Sequence, residues 1–176
     1  GLYSKSSYNI SPQFQDNDLD NVDQAISLAR YFSKKYVTSA FDSDVPQVIG
    51  LSSGLDSSYI SAIASNSLNH NQLHTISLGY STQSSTDESS AAANFAKSLK
   101  LPHIKVLIPE QDITRSYLET SFNMQEPITD FAAQFYYAIY KESANRGFKV
   151  IQMGHGADEI SCGYGWMIDA IRYFSK

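Results

Sequence analysis

Gln47-Val-Ile-Gly-Leu-Ser-Ser-Gly-Leu-Asp-Ser-Ser58 is the stretch on which the reading of this chain turns. Val48, Ile49 and Leu51 make a short apolar run of the kind that forms a buried parallel strand. The run breaks into Ser52, Ser53 and Gly54, small residues past which a ligand can approach the backbone. After Asp56 the spacing turns helical, with Tyr59, Ile60, Ile63, Ala64 and Leu68 on one expected apolar face. A strand, a small-residue turn and a helix N-terminus together make an anion site. Backbone N–H groups converge there and the helix dipole adds positive potential. No Lys follows the glycines at Walker spacing, so this is not a Walker loop.

Outward from that stretch the pattern repeats. Leu73–Leu78 reads as a second strand closed by Gly79, Pro102–Ile108 as a third with Ile104, Val106 and Ile108 alternating, and Phe148–Met153 as a fourth. Between them lie helical spacings. Ala91, Ala92, Phe95, Ala96 and Leu99 mark one helix, residues 112–122 a second, and Phe131, Phe135, Ile139 and Tyr140 a third that ends at Gly147. The aromatics of that third helix read as core. Ahead of the first strand, Leu19, Val22, Ile26, Ala29 and Phe32 predict a helix capped by Asn17 or Asp18, and residues 1–18 read as a polar lead-in. Strands alternating with helices of this length predict an α/β fold: a parallel sheet with helices on both faces. Ligands of such sheets bind beyond the strand C-termini, at the topological switch point.

Composition narrows the partners. The chain has 176 residues, 42% of them hydrophobic, with a formal net charge of -5 and a pI near 5.2. That suits one globular domain with a sizeable core. No basic cluster exceeds Lys34-Lys35, so nucleic acid is not an expected partner. No apolar run reaches the ~20 residues of a membrane span. A single cysteine, Cys162, forms no internal disulfide and fits a reducing compartment; the expected location is cytoplasmic.

A second constellation follows the fourth strand, Gly154-His-Gly-Ala-Asp-Glu159. Two glycines flank His155 and leave its imidazole accessible. Asp56 and Asp158 each follow a strand. Taken singly, each reads as a turn aspartate capping a helix. Beside a polyphosphate, both suit Mg²⁺, which takes one or two carboxylates and keeps water in its shell. Asp87 and Glu88 open the helix marked by Ala91–Leu99 and support two readings, complementing its dipole or standing near a nucleotide.

The loop resembles the pyrophosphate loop, SGGLDSS, of the asparagine-synthetase family of ATP pyrophosphatases. Six of its seven positions match, and Ser53 stands where the family usually has its second glycine. The order DVP, SxGLDSS, DES, EP, GxGADE and GY is similar to that family from residue 20 to 165. The resemblance implies an adenine-nucleotide α-hydrolase-like (Rossmann-like) domain over residues 19–176, incomplete at its C-terminus. It implies an ATP-dependent carbon–nitrogen ligase: a substrate carboxylate attacks the α-phosphorus of ATP, pyrophosphate leaves, and an amine displaces AMP to give an amide.

By the same resemblance, ATP and Mg²⁺ are the expected cofactors. Ser52, Ser53, Gly54, Ser57 and Ser58 would hold pyrophosphate, and Gly50, Leu51, Leu78, Met153 and Gly154 would border the nucleotide. Asp56 and Asp158 would hold the metal, and both join His155 as expected catalytic residues. Expected partners are a small-molecule carboxylate, an amine donor, and a glutaminase domain or subunit elsewhere. His155 stands where asparagine synthetases often carry Glu, which changes charge and proton chemistry and leaves room for another acyl substrate. The alternatives are a nucleotide-binding module without turnover, and a related cyclase or amidotransferase acting on a peptide or sugar.

Overall fold

The computed structural model describes residues 21–68, 73–80, 88–128, 132–161 and 163–174. Among these, α1 (Val22–Ala40) leads into β1 (Gln47–Gly50), followed by α2 (Leu55–Ser67), β2 (Thr75–Tyr80), α3 (Ser89–Ser98) and β3 (His103–Ile108). A 3₁₀ turn at Glu110–Asp112 precedes α4 (Ile113–Met124) and α5 (Ala132–Asn145). Then come β4 (Val150–Gln152), α6 (Ala157–Ser161) and α7 (Gly165–Phe174). The lead-in, Leu19, Asp87, Phe131 and Cys162 lie outside the described residues.

The four strands form one parallel sheet in the order β3-β2-β1-β4, the α/β architecture that the sequence predicts. β1 is central and all four of its residues are buried: Val48, Ile49 and Gly50 are apolar or small, and the polar Gln47 is satisfied by hydrogen bonds to the Phe41 carbonyl and the Gln152 side chain. Ile49 lies beside Thr75 on one side and beside Gln152 on the other. Alternation along the strands divides the core. Ile49 packs with Ala64, Leu73 and Leu101 beneath α1 and α2, with Val37 and Phe41 reaching in from α1 and its end. Val48 and Ile76 turn the other way to meet Ile139 of α5, and Ile104 and Val106 join them. Leu51 meets Ala92 and Ala96 of α3. Helices therefore cover both faces.

Several helix faces depart from their expected form. On α2 the buried residues are Ser57, Ser61, Ala64 and Ser65, while Tyr59 is exposed. Buried serines are tolerated because they bond back into the helix: Ser61 Oγ donates to the carbonyl of Ser57 at 2.8 Å and Ser65 Oγ to that of Ala62 at 3.0 Å. α1 starts at Val22, with Asn21 as its cap, since the Asn21 carboxamide oxygen accepts from the N–H of Asp23 at 2.9 Å. Val22 and Ile26 are exposed, and α1 uses its C-terminal end for packing instead. Gly79 lies inside β2 and does not close it. On α5, Ile139 is core but Tyr140 is exposed.

Candidate functional site

The chain builds β1, β2 and β3 outward in one direction and then returns to lay β4 on the far side of β1. The switch point lies between β1 and β4, beyond their carboxyl ends. Two turns leave from there, residues 51–54 after β1 and residues 153–156 after β4. They touch. A Cβ on Gly154 would stand 2.7 Å from the backbone nitrogen of Ser57 and 2.9 Å from the carbonyl carbon of Asp56. Only glycine permits that approach, because the obstructing atoms are backbone.

The first turn is held open by its own serines. The Ser52 N–H donates to Ser57 Oγ at 3.1 Å, and the two hydroxyls are 2.9 Å apart. The Gly54 N–H donates to Ser52 Oγ at 3.1 Å. Gly54 is the N-cap of α2 and offers no side-chain bond to the first helical turn. The donors of that turn thus face the crevice without a side-chain cap.

A cleft of about 940 Å³ occupies the crevice. Of the expected site residues, Gly50, Leu51, Ser52, Gly54, Asp56, Ser57, Leu78, Met153, Gly154, His155 and Asp158 line it. Ser53 and Ser58 do not. Ser53 borders the site only through its backbone, whose N–H donates to Glu88 Oε2 at 3.2 Å. Ser58 is half-buried in the first turn of α2, where its N–H donates to the carbonyl of Gly54.

Further residues line the cleft that loop motifs alone did not mark as site residues, among them Glu88, Phe135 and Tyr136. Phe135, read from its spacing as core, is half-buried at the cleft wall. Helical period fixes the face of α5 that turns inward, but not whether that face meets protein or a cavity. The phenol oxygen of Tyr136 lies 3.0 Å from His155 Nε2, and Tyr136 stacks on Tyr140 with centroids 6.3 Å apart. Beyond His155, Tyr164 donates to Glu159 Oε1 at 2.7 Å. That bond lowers the Glu159 carboxyl below its ordinary range and pushes the Tyr164 phenol up to about 12.

Among the described residues, no three His, Cys, Asp or Glu side chains are grouped to hold a metal by themselves. Asp56 and Asp158 nevertheless fit a hard dication. Both are half-buried on one cleft, and no described ion pair joins either to Lys or Arg. Two carboxylates of that kind match the protein share of a Mg²⁺ shell whose other ligands are phosphate and water.

Residues 34–175 match the asparagine synthase family model. Glutamine-hydrolyzing asparagine synthetase 1 of Bacillus subtilis is 33% identical over 122 residues, which cover 69% of this chain and 19% of that protein. The chain spans only 19% to 26% of the curated relatives it matches. Among solved structures, the NH3-dependent NAD synthetase of Campylobacter jejuni superposes with a TM-score of 0.50 at 20% identity, over 79% of this chain and 60% of that one. That likeness concerns the fold alone, a parallel sheet with helices on both faces. With the family model covering most of its length, this chain belongs to the asparagine synthase family.

Proposed function

We propose that this chain is the ATP-binding core of an amide-forming ligase that activates a carboxylate as its acyl-adenylate. The contact of Gly154 with the first turn of α2 carries the reading, because it brings the loop after β1 and the turn after β4 onto one cleft. In this reading the uncapped N–H groups of α2 and the hydroxyls of Ser52 and Ser57 bind the β- and γ-phosphates. Asp56 and Asp158 hold Mg²⁺, which neutralises charge on the polyphosphate. Leu78, Gly50 and Met153 border the adenosine.

The substrate carboxylate lies toward His155 and attacks the α-phosphorus. The bond from that phosphorus to the bridging oxygen breaks, and pyrophosphate leaves into the loop. The imidazole, held by Tyr136, faces charge building on the acyl and phosphoryl oxygens. An amine then attacks the acyl carbon and AMP departs. Ammonia is the proposed amine, supplied by a glutamine-hydrolysing domain or subunit, as the name of the Bacillus relative indicates for that protein. His155 in place of Glu points to a carboxylate other than aspartate. The decisive measurement is calorimetry with ATP, with and without Mg²⁺. Magnesium-dependent binding is expected, and a folded sample giving no heat at millimolar nucleotide would sink the proposal.

A further inference from the structure

Glu88 reaches across the cleft to the phosphate loop. It occupies the N-cap position of α3, yet its side chain makes no capping bond to that helix. Its carboxylate instead accepts the Ser53 N–H at 3.2 Å and lines the cleft. Gly79 makes the reach possible. A Cβ there would stand 2.5 Å from Ser89 Oγ and 2.8 Å from Ser89 Cβ, so a larger residue would lift the start of α3 off the sheet. The described structure therefore already places one anion on a backbone donor of the loop.

We propose that Glu88 is a specificity determinant of this site, holding the Ser53 N–H until ligand arrives and selecting magnesium-complexed polyphosphate over the metal-free anion. The inference rests on the nucleotide reading given above. A carboxylate and a phosphate oxygen are alike as acceptors for an N–H. A metal-free polyphosphate entering the loop must displace a negative group and remain beside it. The magnesium complex brings less net negative charge, so the same encounter is less repulsive. The glutamate therefore acts on the ligand's charge and takes no part in bond breaking.

Inorganic pyrophosphate is the probe, titrated calorimetrically into the full-length protein with Mg²⁺ or with a chelator. Glu88→Gln keeps the side-chain length and a carbonyl acceptor while removing the charge. Because Glu88 is exposed, the variant is expected to keep the native thermal midpoint. It should bind metal-free pyrophosphate roughly tenfold more tightly than the native protein, and the magnesium complex within about threefold of it. An equal change under both conditions, or none, overturns the role of Glu88 while leaving the site reading intact. A loss of affinity confined to the magnesium complex also overturns it, since the carboxylate would then be a metal ligand. Absence of binding by the native protein under both conditions overturns the nucleotide reading as well.

Discussion

Tyr136 and His155 meet edge to face, their ring centroids 5.2 Å apart and the phenol oxygen 3.0 Å from Nε2. The tyrosine comes from α5 and the histidine from the turn after β4, so one hydrogen bond ties the helix wall of the cleft to its floor. An exposed histidine between two glycines has few other restraints on its ring. His155→Ala should lower substrate-dependent ATP–pyrophosphate exchange by at least about tenfold, or roughly 1.4 kcal/mol of barrier. Tyr136→Phe should lower it by about threefold, because the ring contact survives and only the orienting bond is lost. Both should melt near the native temperature. Normal exchange combined with a large drop in stability would show that the histidine is structural.

Asp56 and Asp158 should separate charge from shape. Asp56→Asn keeps the size of the side chain and removes the charge proposed to hold Mg²⁺, so the magnesium-dependent part of ATP affinity should fall about tenfold or more. Binding with a chelator present should change far less. Asp158→Asn should behave in the same way. Calorimetry under the two conditions checks both, and equal losses with and without metal would contradict the assignment.

Gly154→Ala places a methyl group where the backbone nitrogen of Ser57 lies 2.7 Å away. Backbone cannot rotate aside as a side chain can, so the two turns must separate. Stability should drop by about 1–3 kcal/mol, the usual range for overpacking. Nucleotide affinity should fall along with it. Gly156→Ala, by contrast, meets no atom within 4 Å but has φ of +97°, so its cost is backbone strain and not collision. Urea unfolding of the two variants, compared with their ATP affinities, distinguishes the mechanisms.

His103 gives a pH dependence through its bonds from β3 to β2. Thr75 Oγ1 donates to the Pro102 carbonyl at 3.1 Å, so it receives Nδ1–H of His103 at 2.9 Å, and Nε2 then accepts from Ser77 Oγ at 3.0 Å. Burial, and then the nearby Lys105 charge, lower its pKa below the ordinary 6.5. With the folded value depressed, the unfolded chain takes up the proton first as pH falls. The contribution is fully present above about 6.5 and is lost as pH drops from there through the folded value. His103→Gln should flatten the fall in thermal midpoint below pH 6.5. An unchanged slope would assign that limb to other groups.

The sheet was legible because β-strand burial leaves a strong pattern. Val48-Ile49, Ile104 and Val106, and the fourth strand all lie near the positions that their apolar runs predict. The meeting of the two glycine turns was legible too, since it follows from strand order and the switch-point rule. Less visible was the buried face of α2. Ser57, Ser61 and Ser65 look polar in a periodicity count, and only their bonds to helix carbonyls make them interior residues. Phe135 was hidden for the opposite reason, because an aromatic at helical spacing resembles core until a cavity is seen beside it, and Tyr136 lay off the predicted apolar face. Glu88 carried a partial signal as an acid opening a helix. Its reach to Ser53 depends on how closely α3 seats against Gly79, which sequence spacing does not encode.

Because α5 closes one wall of the cleft while the loop after β1 and the turn after β4 form the other, the two ends of the site answer to different parts of the chain. Changes at Phe135 or Tyr136 reshape one wall, whereas Ile139 also packs on Val48 of β1 and is tied to the sheet. Under the proposed chemistry, acyl preference is then free to drift during divergence while nucleotide handling stays fixed. A new carboxylate substrate would then call for changes on α5 and in the turn that carries His155, with the loop after β1 left as it is.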